Sequence, residues 1–182
     1  MKSIKLICAL SVTALLHSCS GKVDCNELKT IFTADAIKTI VNEKTVSGSS
    51  NEALLKGKVL ILSQNKNEYS TTDTVLSYMS FECDETLNPV YANSPNEIET
   101  LVLLYNTSQE SGYYKNETNP SDSVLAYKSF CDMTLIDYKT KTIIFKKMFT
   151  ESADDKSTSF IGPMTKLKAQ ESAFEFLKGL VK

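Results

Sequence analysis

The sequence predicts an α+β domain over residues 25–182, an antiparallel sheet of about five strands with an N-terminal and a C-terminal helix. Three observations point there. From Leu125 to Leu135 the odd positions read Leu, Tyr, Ser, Cys, Met, Leu, while Lys128, Asp132 and Thr134 fall between them. That is the period-2 pattern of a half-buried strand. With the polar turn at 137–141 and the run at 142–149, where Ile143, Phe145 and Phe149 share a face, it makes an antiparallel hairpin. Two nearly continuous apolar runs, 58–62 and 99–105, are rich in strand formers and read as buried strands. At the C-terminus Ala173, Phe176, Leu177, Leu180 and Val181 recur at i, i+3, i+4, i+7 and i+8, an apolar stripe for packing a helix of about 166–182 on the sheet.

The remaining elements follow in chain order. Asp24 with Glu27 matches a capping box, in which each side chain satisfies an exposed backbone N–H. Leu28, Ile31, Phe32, Ile37, Ile40 and Val41 then recur at roughly helical spacing, so a helix covers about 25–43 with a break near Thr33. Residues 47–51 end it in a loop, and residues 63–74 are polar and turn-like. Residues 75–83 read as a strand, and 84–97, with Asn88-Pro89 and Ser94-Pro95, as irregular chain. Residues 106–123 form the longest polar stretch and read as a loop, of a length that often carries function. A second long loop, 150–165, is acidic and closes on Gly162-Pro163.

Before this domain, Lys2 and Lys5 precede an apolar run over 6–16 that ends in Leu16-His17-Ser18-Cys19. A positive start, a short apolar core and a small residue before the cut describe a secretory signal. The run is too short to span a bilayer core, which needs about 20 residues. The apolar Leu16, the small Ser18 and the cysteine resemble the lipobox of bacterial lipoprotein precursors. The resemblance implies removal of residues 1–18, lipidation of Cys19, a tether over 19–24, and attachment to membrane lipid in the cell envelope. Lipoproteins of this class carry two or three chains on that cysteine, whereas one chain gives only marginal binding. Ser20, where an Asp would favour inner-membrane retention, makes the outer membrane the expected side. An ordinary secretory signal with a chance cysteine is the alternative.

Composition narrows the chemistry. All 20 basic residues are lysine, so no guanidinium fork is present for bidentate recognition of phosphate or carboxylate. Residues 19–182 carry 18 lysines against 22 acids, a net charge of −4 with no basic stripe, which argues against a nucleic-acid partner. The one histidine is His17, inside the signal, so the mature chain lacks the means for a Ser-His-Asp triad, a Cys-His dyad or histidine-ligated zinc. No phosphate-loop pattern of glycines occurs, and neither a metal nor a cofactor is expected. Of five cysteines, Cys8 leaves with the signal and Cys19 takes lipid. Cys25, Cys83 and Cys131 remain, enough for one disulfide and one free thiol in an oxidising compartment. Cys83 and Cys131 both lie in apolar-alternating stretches and are the expected pair across the sheet; the alternative is that each is a small buried hydrophobe.

Four further features are candidates for function. Tyr113 and Tyr114, adjacent in the 106–123 stretch, can offer an aromatic contact surface, or one ring can pack inward from a short strand. Asp73-Thr74-Val75 and Asp122-Ser123-Val124 resemble the Asp-Ser/Thr-aliphatic motif that one branch of Gram-negative bacteria O-glycosylates, which implies Thr74 and Ser123 as acceptors. Glu97 with Glu99, and Asp154 with Asp155, are the carboxylate pairs that a glycoside hydrolase would need. The expected function is a lipid-anchored envelope protein with a binding or structural role, its partner an envelope protein or glycan; the alternative is a small carboxylate-dependent envelope hydrolase.

Overall fold

The computed structural model describes residues 24–42, 45–47, 53–65, 79–114, 124–151 and 168–181. In chain order the elements are α1 (Cys25–Ile31), α2 (Ala34–Val41), β1 (Val46–Ser47), β2 (Lys58–Asn65), β3 (Ser80–Phe81), β4 (Ile98–Tyr114), β5 (Val124–Asp137), β6 (Thr142–Glu151) and α3 (Lys168–Leu180), with 3₁₀ turns at Glu85–Val90 and Pro95–Glu97. The class is α+β, as the sequence predicts.

The N-terminal helical pattern breaks where Thr33 interrupts it. Asp24 caps α1 by accepting from the Asn26 amide at 2.8 Å, and Thr33 caps α2 by accepting from the Ala36 amide at 3.4 Å. Each cap satisfies an N–H that the first helical turn leaves without a partner. Phe32, in the corner between the two helices, is buried and stacks on Phe81 of β3 with ring centroids 5.5 Å apart.

Among the described residues the sheet has six strands in the order β1-β6-β5-β4-β2-β3. It is mixed, which corrects the antiparallel expectation: β2 runs parallel to β4, and β1 parallel to β6. The hairpin β5–β6 and the pair β4–β5 are antiparallel, as expected. Strand direction across β2–β4 is set by the connection over 82–97, which carries the chain back to the end of the sheet where β2 began. Val59, Leu60, Ile61 and Leu62 are all buried, because the strand is covered on both faces.

Register sorts the side chains by face. Val102, Leu135 and Phe145 stand opposite one another, as do Asn106, Cys131 and Phe149. This face lies under α3, where Phe176 stacks on Phe145 at 5.7 Å and the Asn106 amide donates to Gln170 Oε1 at 2.7 Å. Ala169, Ala173 and Leu177 are the buried residues of α3. Leu101, Leu103, Tyr105 and Ile136 point to the opposite face, which α2 covers. Each buried Leu or Ile contributes roughly 1.5–3 kcal/mol.

The disulfide also departs from expectation. Cys25 is bonded to Cys83, with Cα atoms 5.8 Å apart, and Cys131 is a free, buried thiol. Cys131 lies on the α3 face in register with Asn106 and Phe149, whereas Cys83 follows β3 on the far side of β2. Two strands therefore separate Cys131 from Cys83, too far for a bridge.

The expected loop at 106–123 is shorter than read. β4 continues to Tyr114 and β5 starts at Val124, with Tyr114 in register with Val124. β2 stops at Asn65 opposite Asn106, and β6 ends at Glu151 opposite Ser129, so among the described residues the hairpin beyond these rows is a two-stranded ribbon. The expected strand over 75–83 is described only from residue 79. Among the described residues no helix is long and apolar enough to cross a membrane.

Candidate functional site

The residues that the sequence singles out do not converge. Cys19, Thr74, Ser123, Asp154 and Asp155 lie outside the described residues. Tyr113 is 66% exposed on the ribbon, in register with Leu125, so its ring does not pack inward. Tyr114 neighbours it at the end of β4. Glu97 accepts from the Asn93 amide at 3.0 Å, and Glu99 pairs with Lys139 at 2.6 Å. The two carboxylates thus serve different local contacts, and both are open to solvent.

The side chains that do converge line a recess of about 310 Å³ between α2 and the sheet face opposite α3. Ile40 and Val41 of α2 form one wall, and Leu101, Leu103 and Tyr105 of β4 with Ile136 of β5 form the other. Asn42, Thr45, Tyr138 and Lys141 complete the lining. Alternation along β4 places Leu101, Leu103 and Tyr105 in one row on the face that the recess adjoins. No Asp or Glu lines it among the described residues.

Local sequence explains how the β5–β6 turn closes one end. Asp137 Oδ1 accepts from the Thr140 amide at 3.1 Å, the Asx geometry that a turn favours. Its other carboxylate oxygen meets Lys56 at 2.9 Å, and these two contacts, Lys56 first, hold the carboxyl below the usual carboxylate range. The Tyr138 amide donates to the Glu99 carbonyl at 2.8 Å, which fastens the turn to the start of β4. Lys141 then takes φ 54°, a left-handed conformation that costs a non-glycine residue about 1–2 kcal/mol. Its ammonium lies 3.0 Å from the centroid of the Tyr138 ring, a cation–π contact at the rim. Burial raises the pKa of the Tyr105 hydroxyl at the other end of the row, so that group stays protonated at neutral pH. The result is a largely apolar recess with hydroxyl, amide and ammonium groups among its lining, a composition suited to holding a ligand in one orientation.

Sequence reasoning does not find this recess. Its sheet wall is present in the run 99–105, where both odd and even positions are apolar and both faces must therefore be covered. What covers them is a packing fact that the helix sequence does not state. Comparison of the chain with protein-family models, with curated proteins and with solved structures finds no match.

Proposed function

We propose that this is a lipid-anchored protein of the cell envelope, in the outer rather than the inner membrane, that acts by binding, with the recess between α2 and the sheet as its binding site. The anchoring rests on Leu16-His17-Ser18-Cys19 and its resemblance to a lipobox. One observation carries the binding role: a largely apolar recess of about 310 Å³, at the lower end of the usual size for small-molecule sites, with five aliphatic side chains and the polar groups of Asn42, Thr45, Tyr105, Tyr138 and Lys141 in its lining.

Two experiments test the reading. With Cys19→Ala in the full chain, the protein is expected to leave the membrane fraction and the precursor to remain uncut; unchanged fractionation would refute the anchor. For the recess, an uncharged photoreactive decanol carrying a diazirine near its chain end is added to cells producing the full chain. Adducts are expected on residues 101–105 or 136–141. Thr45→Trp, a bulky replacement at an exposed position of the lining, should suppress them. Labelling indifferent to that replacement would remove the recess as the site.

A further inference from the structure

We infer that the recess takes an uncharged, largely hydrocarbon molecule bearing an oxygen acceptor such as a ketone or ester carbonyl, with the acceptor on the Tyr105 hydroxyl and the hydrocarbon on Leu101, Leu103 and Ile136. This rests on the reading of the recess as the binding site and names the class of ligand.

The hydroxyl comes first. Burial raises the pKa of Tyr91 and of Tyr105, so both hydroxyls keep their protons at neutral pH. The protein provides a partner for the first. Tyr91 is buried, and its hydroxyl accepts from the Asp84 amide at 2.8 Å. Tyr105 lines the recess, and among the described residues no group hydrogen-bonds its hydroxyl. A neutral phenol has one proton to donate, and an oxygen lone pair is its natural acceptor. A polar group drawn out of water without a partner costs free energy, and a ligand that brings the partner recovers it. Leu101 and Leu103 share the Tyr105 side of β4, so hydrocarbon attached to that acceptor meets aliphatic surface.

Charge narrows the class. The walls are aliphatic, and no Asp or Glu lines the recess among the described residues, so a cation entering it meets no counter-charge. The Lys141 ammonium is already engaged, 3.0 Å from the centroid of the Tyr138 ring. An anion seated on the aliphatic walls would have to draw that ammonium off the ring or remain unpaired. Burying an unpaired charge costs far more than one hydrogen bond returns. A carbonyl oxygen carries no such cost, and one acceptor matches the one hydroxyl proton that lacks a partner.

The test uses two photoreactive probes of equal chain length on cells producing the full chain, a 2-decanone and a decane, each with a diazirine near the far chain end. Both are expected to label residues 101–105 or 136–141. Each probe is read as the ratio of labelling in the wild-type chain to that in Tyr105→Phe, which keeps the ring and removes the hydroxyl; the ratio cancels differences in how the probes partition. Labelling by the ketone should fall roughly fivefold in the variant, the size of one net hydrogen bond, and labelling by the alkane by less than about twofold. In the wild-type chain, excess plain 2-decanone should suppress ketone labelling, and the same concentration of decanoate should not. Ketone labelling unmoved by Tyr105→Phe, or a loss shared equally by both probes, would overturn the assignment to the Tyr105 hydroxyl. Decanoate competing as well as 2-decanone would overturn the uncharged class, and that measurement needs no variant. Each of these results leaves the recess as a binding site. Absence of adducts at these residues with both probes would overturn the recess itself.

Discussion

Cys131 has no exposed surface and lies between Asn106 of β4 and Phe149 of β6, under α3. Burial, helped by the negative charge of Asp132, pushes its thiol up to about 12. The thiolate is the reactive form, and at pH 8 about one thiol in ten thousand would carry it. We therefore expect Cys131 to resist iodoacetamide at pH 8 in the folded protein and to react within minutes in denaturant, read by mass spectrometry of intact protein. Rapid alkylation under native conditions would contradict its burial. The sequence placed this residue correctly on the inner face of its strand, because alternation over 125–135 is a local pattern. It did not give the disulfide partner. Cys25 meets Cys83 only because Phe32 packs on Phe81 and draws α1 beside the end of β3, a contact between segments about fifty residues apart.

At the scale of elements, the ribbon beyond Asn106 and Ser129 is the part that the sequence misassigned. Gln109, Glu110 and Ser111 are exposed, and a strand with solvent on both faces needs no apolar alternation. Its polarity therefore resembles that of a loop. An isolated two-stranded hairpin is marginal in water, and here the sheet holds its base. Tyr113, 66% exposed, has little packing to lose, so Tyr113→Ala should change stability by less than about 0.5 kcal/mol. Leu104, fully buried on the same strand, should cost about 2–5 kcal/mol as Leu104→Ala. Urea denaturation of the two variants checks both values, and a loss above about 2 kcal/mol for Tyr113→Ala would show that the ring packs in the core. Other elements were legible where their signal was local: the strands at 58–62 and 99–105, the hairpin turn at 137–141 and the C-terminal stripe. The parallel pairing of β2 with β4 was not, since it depends on how the 82–97 connection crosses the sheet.

At the scale of the whole molecule, the two ends of the sheet are unequal. The N-terminal attachment is nearer one of them: Cys25 is tied to Cys83, and the neighbouring Glu82 amide bonds the Ile61 carbonyl of β2 at 2.9 Å. Ile61 is level with Val102, and β4 then runs to Tyr114, which puts the ribbon tip about 40 Å further along. If Cys19 bears lipid as proposed, the chain from Cys19 to Cys25 spans at most about 21 Å. A body grafted to a surface near one end keeps its far end, on average, farther from that surface, because the bilayer excludes orientations that point the tip inward. Single reporter cysteines test this: Thr140→Cys in the exposed β5–β6 turn, and Gln109→Cys on the ribbon, about 30 Å away along β4. With a donor dye on either and acceptor-labelled lipid in the membrane carrying the full chain, transfer should be strong from position 140 and weak from position 109. Equal transfer would mean that the domain lies flat, and stronger transfer from position 109 would mean that the ribbon faces the bilayer; either result would reject the upright arrangement.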